Sequence, residues 1–225
     1  MGRSKLDKFK DNELSRYVVQ PGKEIFEQIK GNWRNLYFKN EHDLVLELAC
    51  GRGEYTIGLA REFPDRNFIG IDIKGPRIWR GMKTAEEEKL MNTGFLRGHI
   101  QNLEAYFEKN EVDEIWIAFP DPRPKGRDER RRLTHPRFIN IYRTILKPGG
   151  RVYLKTDNHE LFEYSLEVLC SEVDVADLVY TRDLYNSNYL AEHHGIQTTY
   201  EKRYLEEGTK IKYLKFRFSA NKGAK

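Results

Sequence analysis

The sequence predicts an α/β fold, a mostly parallel sheet with helices on both faces. Three observations predict it. Short apolar runs of strand length alternate with stretches whose apolar residues recur at helical spacing, and strands separated by helices imply β-α-β units. One junction, Leu44-Val45-Leu46-Glu47-Leu48-Ala49-Cys50-Gly51-Arg52-Gly53-Glu54, reads as strand, tight turn and helix start. The chain has 225 residues, 39% of them hydrophobic, which is enough to bury a sizeable core without cross-links.

Residues 1–20 are polar and mixed in charge and are expected to form an arm. A helix is expected over 22–38, with Ile25, Phe26, Ile29, Trp33 and Leu36 on one face. Seven strands are expected, at 44–49, 67–73, 94–98, 114–119, 151–156, 173–180 and 210–218. Helical patterns fill the gaps at 54–62, 77–91, 103–108, 136–146 and 160–171. After 173 the pattern changes. Two strand-like runs flank a polar segment, 182–208, rich in Asn, His, Tyr and Glu. A structureless segment of that length is uncommon unless it carries function, so part of a site is expected there. Residues 1–40 read as an N-terminal arm and helix and 41–225 as the main fold, one domain overall.

The glycine-containing turn narrows the ligand. A dinucleotide fingerprint would need Gly at 49, 51 and 54, and the chain has Ala49, Gly51 and Glu54. Glu47, just before the turn, sits badly near a pyrophosphate and well near an ammonium or sulfonium. Asp72 ends the next strand, where an acid accepts both ribose hydroxyls. An acid, a glycine turn and a second acid fit S-adenosylmethionine better than NAD. Both acids end buried strands, where a charge needs a partner.

The most specific stretch is Phe119-Pro120-Asp121-Pro122-Arg123-Pro124-Lys125. It follows a buried strand, and prolines on either side leave Asp121 little freedom. Seven basic residues between positions 123 and 137 face only Asp128 and Glu129, a local net charge of about +5 in a chain whose total is +4. A rigid carboxylate beside such a cluster suits a site that handles an electron-poor group while gripping a polyanion. No apolar run reaches membrane-spanning length, and no apolar stretch follows the charged start of the chain, so a cytoplasmic location is expected. Cys50 and Cys170 lack metal-ligand spacing and are expected to be buried free thiols.

These residues resemble one family, the bacterial tRNA (guanine-N7)-methyltransferases, over roughly residues 40–218. The segments that carry the resemblance are Phe119-Pro120-Asp121-Pro122 with Lys125 and Arg130-Arg131-Arg132, then Leu154-Lys155-Thr156-Asp157-Asn158, then Asn186-Ser187-Asn188 with Thr198-Thr199-Tyr200-Glu201. The resemblance implies a Rossmann-like class I methyltransferase fold with a seven-stranded, mostly parallel sheet whose last strand is antiparallel. It implies S-adenosylmethionine as cofactor, no metal, and a guanosine of the tRNA variable loop, nucleotide 46, as target, in a monomer or homodimer. By position, Glu47, Ala49, Gly51, Gly53, Asp72, His99, Ile100 and Asp121 look like cofactor contacts. Asp121 looks like the catalytic acid. Lys125, Arg130, Arg131, Arg132, Asp157, Thr198, Thr199, Tyr200 and Glu201 look like substrate contacts. The chain departs from the family at three places. Ala49 replaces a usual Gly, His99 stands where many members have an acid, and Arg123 replaces a frequent Trp.

Guanine N7 has an in-plane lone pair and no proton, so transfer to it needs proximity and orientation rather than a strong base. A fixed carboxylate complements the positive charge that moves onto the purine. Asp121 is also able to select guanine by accepting from its N1–H and amine. The arginines suit phosphates flanking an extruded base. Tyr185, Tyr189, His193 and His194 are candidates for stacking, although packing is the commoner role for each. Asp157 is able to serve as an N-cap as well. Two other readings stay open. One is a base-amino methyltransferase, which would carry an Asp/Asn-Pro-Pro-aromatic loop where this chain has Pro120-Asp121-Pro122-Arg123. The other is a non-catalytic RNA-binding protein that keeps the fold. Cofactor binding followed by transfer of labelled methyl to tRNA separates them.

Overall fold

A computed structural model of the protein describes residues 3–219. In chain order the elements are α1 (Lys5–Leu14), β1 (Val18–Val19), α2 (Glu24–Gln28), β2 (Asp43–Leu48), α3 (Glu54–Glu62), β3 (Arg66–Asp72), α4 (Gly75–Glu87), β4 (Thr93–Arg97), α5 (Leu103–Tyr106), β5 (Val112–Ala118), α6 (Pro136–Ile145), β6 (Leu146–Thr156), α7 (His159–Ser171), β7 (Val175–Thr181), α8 (Thr199–Glu206) and β8 (Lys212–Phe218). The eight strands form one sheet in the order β1-β4-β3-β2-β5-β6-β8-β7. All pairings are parallel except those of β8, which runs antiparallel to both β6 and β7.

Strand alternation sends side chains to two layers. Along β2, Leu44, Leu46 and Leu48 enter the larger core, which includes Trp33, Phe107, Phe138, Tyr142 and Phe162 from the segments on that face. Val45 and Glu47 point the other way, toward α3. There Tyr55 and Leu59 of α3 pack with Trp116, Tyr153 and Tyr213, and Leu184 and Ile211 of the segment between β7 and β8 join them. Ile57, Ile78, Met82 and Phe95 fill the space between α3, α4 and the sheet.

Several elements differ from the sequence expectation. The N-terminal arm contains a helix: Ser4 and Asp7 form a capping box at its start. Asn12 donates to the Gly75 carbonyl at 2.9 Å and Trp79 donates to Asp11 at 2.7 Å, which seats α1 on α4. An eighth strand, β1, extends the sheet through Val18 and Val19 opposite Phe95 and Leu96; two residues are too few to show a periodicity. The expected helix at 22–38 is broken. Gly31 adopts φ 75°, and the Glu111 carboxylate captures the Gly31 N–H at 3.0 Å and the Trp33 N–H at 3.3 Å. A π-helical turn, Trp33–Phe38, follows. The segment 182–208 is not structureless. It holds two 3-10 turns and α8, whose N-cap Thr198 accepts from the Glu201 N–H at 3.1 Å. Cys50 is buried as expected, but Cys170 is exposed, on the outer face of α7.

Candidate active site

The carboxyl ends of β2, β3, β4, β5 and β6 form one edge of the sheet. The strand order reverses between β2 and β5, and ligands of open α/β sheets bind outside such a switch point. The turn after β2 is built of left-handed residues: Ala49 at φ 58°, Gly51 at 58° and Gly53 at 71°. A Cβ at Gly53 would lie 2.4 Å from the Phe95 ring, so that position excludes every other residue by space as well as by backbone. Ala49 meets the same backbone demand with a side chain attached.

Two acids hold the turn. Asp72 is buried. One of its oxygens accepts from the Gly51 N–H at 3.1 Å and the other from the Lys74 N–H at 2.8 Å. A carboxylate accepts about four hydrogen bonds, so Asp72 keeps capacity toward the open edge. Glu47 is buried against the start of α3, where it accepts from the Thr56 N–H at 2.7 Å and from the Thr56 hydroxyl. Burial pushes its carboxyl up to about 8, against the pull of those Thr56 bonds; Glu54 and Asp72 nearby push the same way. Glu47 is therefore a buried acid with an appetite for a neighbouring cation. At the end of β4, His99 is exposed and opens the 3-10 turn Ile100–Asn102, while Ile100 packs against the core.

The acid loop leaves β5 with Phe119 at φ 52°, its N–H donating to the Lys155 carbonyl at 2.9 Å. The Asp121 side chain is 60% exposed and aimed outward. It accepts from the Arg123 N–H at 3.2 Å and pairs with the Arg123 guanidinium at 3.3 Å. Arg123 is at φ 49°, and its carbonyl accepts from Arg132 at 3.2 Å. Arg132 in turn lies 4.4 Å over the Tyr164 ring. The three consecutive arginines thus have different surroundings. Arg132 braces the acid loop, Arg131 pairs with Asp128 at 3.1 Å, and Arg130 is exposed without a described ion-pair partner, as are Arg127 and Lys125.

Lys155 stands in the segment 154–158 that carries the resemblance but has no place among the expected contacts, although a lysine inside the apolar run 151–156 is a signal of its own. It is fully buried, and so is its partner Glu201, 2.9 Å away. Tyr185 donates to the other side of the pair at 3.1 Å, and Gln197 donates to Tyr185 at 2.9 Å. The ammonium lies 4.9 Å from the Tyr55 ring and 5.9 Å from the Phe119 ring. Burial pulls the Lys155 ammonium below the usual lysine range, with Glu201 opposing. The Glu201 carboxylate is thus committed inward, while Tyr200 beside it is exposed and Thr199 donates to Glu54 through its N–H at 2.9 Å. Thr198 is buried as the cap of α8. Asp157 is half-buried, which raises its carboxyl, and its carbonyl accepts from Lys212 at 2.7 Å. The cap of α7 is the neighbouring Asn158, which accepts from the Leu161 N–H at 2.8 Å. His193 is buried against Tyr185 and Tyr189 is half-buried against Tyr213, while His194 is exposed, its ring edge-on to Phe63 and Trp116.

A family model described as "Putative methyltransferase" matches residues 41–214. A tRNA (guanine-N(7)-)-methyltransferase of Cytophaga hutchinsonii is 52% identical over 97% of this chain and 99% of its own. One of Christiangramia forsetii is 47% identical over 96% and 98%, and one of Clostridioides difficile is 33% identical over 98% and 99%. Among solved structures, the 16S rRNA methyltransferase KamB matches with a TM-score of 0.60 at 16% identity, over 87% of this chain and 93% of its own; at that identity the likeness concerns the fold alone. No helix among the described residues is long and apolar enough to cross a membrane. The extent of these matches, over a Rossmann-like sheet with an antiparallel last strand, means that the chain belongs to the tRNA (guanine-N(7)-)-methyltransferase family.

Proposed function

We propose that this protein methylates N7 of a guanosine in the variable loop of tRNA, nucleotide 46, with S-adenosylmethionine as the donor. The observation that carries the reading is the outward-facing Asp121 at the switch point, on the same edge as the glycine turn, in a chain with these relatives. The donor, when bound, supplies an electrophilic methyl group on a sulfonium. The residues present fit such a group. Asp72 keeps acceptor capacity for hydroxyls, the turn at 49–53 brings bare backbone to the edge, and Glu47 is a desolvated acid that a nearby cation would favour as carboxylate.

Asp121 has two tasks in this reading. It accepts hydrogen bonds from the guanine edge, and it faces the positive charge that develops on the purine. Removing a proton from N7 is not among them, because N7 carries none. Arg123 holds the carboxylate ready and shields it until the base takes its place. Lys125, Arg127 and Arg130 are the cations of the loop without an ion-pair partner among the described residues and hold phosphates beside the target. Lys155 and Glu201 position the two loops of the site without touching substrate. The test is transfer of labelled methyl from S-adenosylmethionine to unmodified tRNA. Asp121→Asn should bind the donor as the wild type does and turn over roughly a hundredfold more slowly or worse. Equal turnover in the two proteins would refute the role given to Asp121.

A further inference from the structure

A second basic surface lies away from the arginine loop. A groove of about 660 Å³ runs down the flank of α3, between α3, α4 and the segment leading into α8. Its cations come from four places in the chain: Arg52 in the turn, Arg61 on α3, Arg80 on α4 and Lys202 on α8. Arg61 is paired with Glu88. Arg52, Arg80 and Lys202 are exposed and form no ion pair with a described carboxylate. The acid that lines the groove, Glu54, is engaged by the Thr199 N–H and hydroxyl. Arg77 stands one turn before Arg80, on the same stripe of α4, exposed and likewise unpaired.

We infer that this groove is a second phosphate-binding track for the tRNA backbone, separate from residues 125–131 and continuous with the methyl-transfer edge through Gly53 and Thr199. Guanidinium and ammonium groups held along a concave wall of mixed polar and apolar character, floored by Ile57 and Ile196, suit successive phosphodiesters. The cations are scattered in sequence and converge only because α8 folds back onto the start of α3. With the acid loop on the far side of the switch point, the track makes the RNA grip two-sided, which steadies a base drawn out of its stack.

The inference rests on the tRNA reading, so wild-type methyl transfer to tRNA is measured first in the same preparation; its absence would fail that reading rather than the groove. The test is the salt dependence of tRNA binding by Arg80→Ala/Lys202→Ala. Its control is Lys30→Ala/Lys109→Ala, which removes equal charge from two exposed lysines beside Ile29 and Phe107 of the larger core, on the face of the sheet opposite α3; Lys30 pairs with Glu108 at 3.9 Å. Loss of two phosphate contacts should lower the log–log salt slope by about 1.4–1.8 and weaken binding roughly tenfold near physiological salt, with donor affinity unchanged. A slope and affinity matching the control would overturn the track. So would a fall in donor affinity, which would assign the groove to the cofactor.

Discussion

Ala49 shows how closely this site is drawn at the scale of one residue. Its φ of 58° lies in the region that favours glycine, where a Cβ costs about 1–2 kcal/mol. The methyl group packs against the larger core, so the backbone strain is set against a small packing contribution. Ala49→Gly should therefore stabilise the protein by about 1 kcal/mol in denaturant titration; a destabilised variant would mean the methyl group makes packing contacts worth more than the strain. Glu47 gives the second prediction. Its carboxyl is raised from 4.5 to about 8 in the folded chain. The folded state holds this proton more tightly than the unfolded one. The contribution to stability is therefore full below about pH 4.5 and is lost as pH rises toward about 8. Glu47→Gln keeps an acceptor for Thr56 and should flatten the stability profile over that window in thermal melts. Donor binding, which favours the carboxylate, should release a proton in the wild type and none in the variant. An unchanged profile in Glu47→Gln would show that the acid is not the source. The acids at 47, 72 and 121 were legible in the sequence because each lies within or just past an apolar strand run. The partners of the first two were not, because Thr56 and Gly51 reach Glu47 and Asp72 only through the fold, whereas Arg123 is a neighbour of Asp121 within the same loop.

At the scale of elements, the site depends on how the segment between β7 and β8 is tied down. Lys155 of β6 and Glu201 of α8 form a dry pair under Tyr55, Phe119 and Tyr185. The same lysine's carbonyl holds the start of the acid loop through the Phe119 N–H. Lys155→Met leaves a buried carboxylate alone and should cost about 3–5 kcal/mol. Lys155→Met/Glu201→Met should recover most of that stability, since an apolar replacement removes the desolvation penalty of both charges. Calorimetric melts of the three proteins decide it; a double variant as unstable as the single one would contradict the pairing. Apart from the two-residue β1, the strands of the parallel sheet were legible because their apolar runs are long and bounded by turns. α8 and α1 were not, because their polar composition hides helices that are held by caps and tertiary contacts. The break at Gly31 was equally hidden, since Glu111, which captures the freed N–H groups, lies 80 positions away.

At the scale of the whole molecule, a modest net charge of +4 conceals a directional field. Exposed cations without an ion-pair partner among the described residues stand on the acid loop (Lys125, Arg127, Arg130) and along the flank of α3 (Arg52, Arg80, Lys202), on the two sides of the switch point. On the loop, only part of the arginine run is free. Arg130→Ala with Arg127→Ala should lower the salt slope of tRNA binding by about 1.4–1.8. Arg132→Ala should act differently, through the acid loop it braces, and should depress turnover more than binding. A variant of Arg132 that changed only the salt slope would return it to the phosphate contacts. Which of the seven basic positions stay free could not be read from their spacing, because it depends on Asp128, on Tyr164 and on the Arg123 carbonyl.

In the proposed reaction the outward carboxylate of Asp121 serves methyl transfer to guanine N7 in tRNA. The most direct test is to treat unmodified tRNA with the purified protein and labelled S-adenosylmethionine and to map the methylated nucleotide by chemical cleavage at N7-methylguanosine. One cleavage site is expected, at a variable-loop guanosine, lost with Asp121→Asn. Label on a base amino group, or on N7 elsewhere in the tRNA, would contradict it.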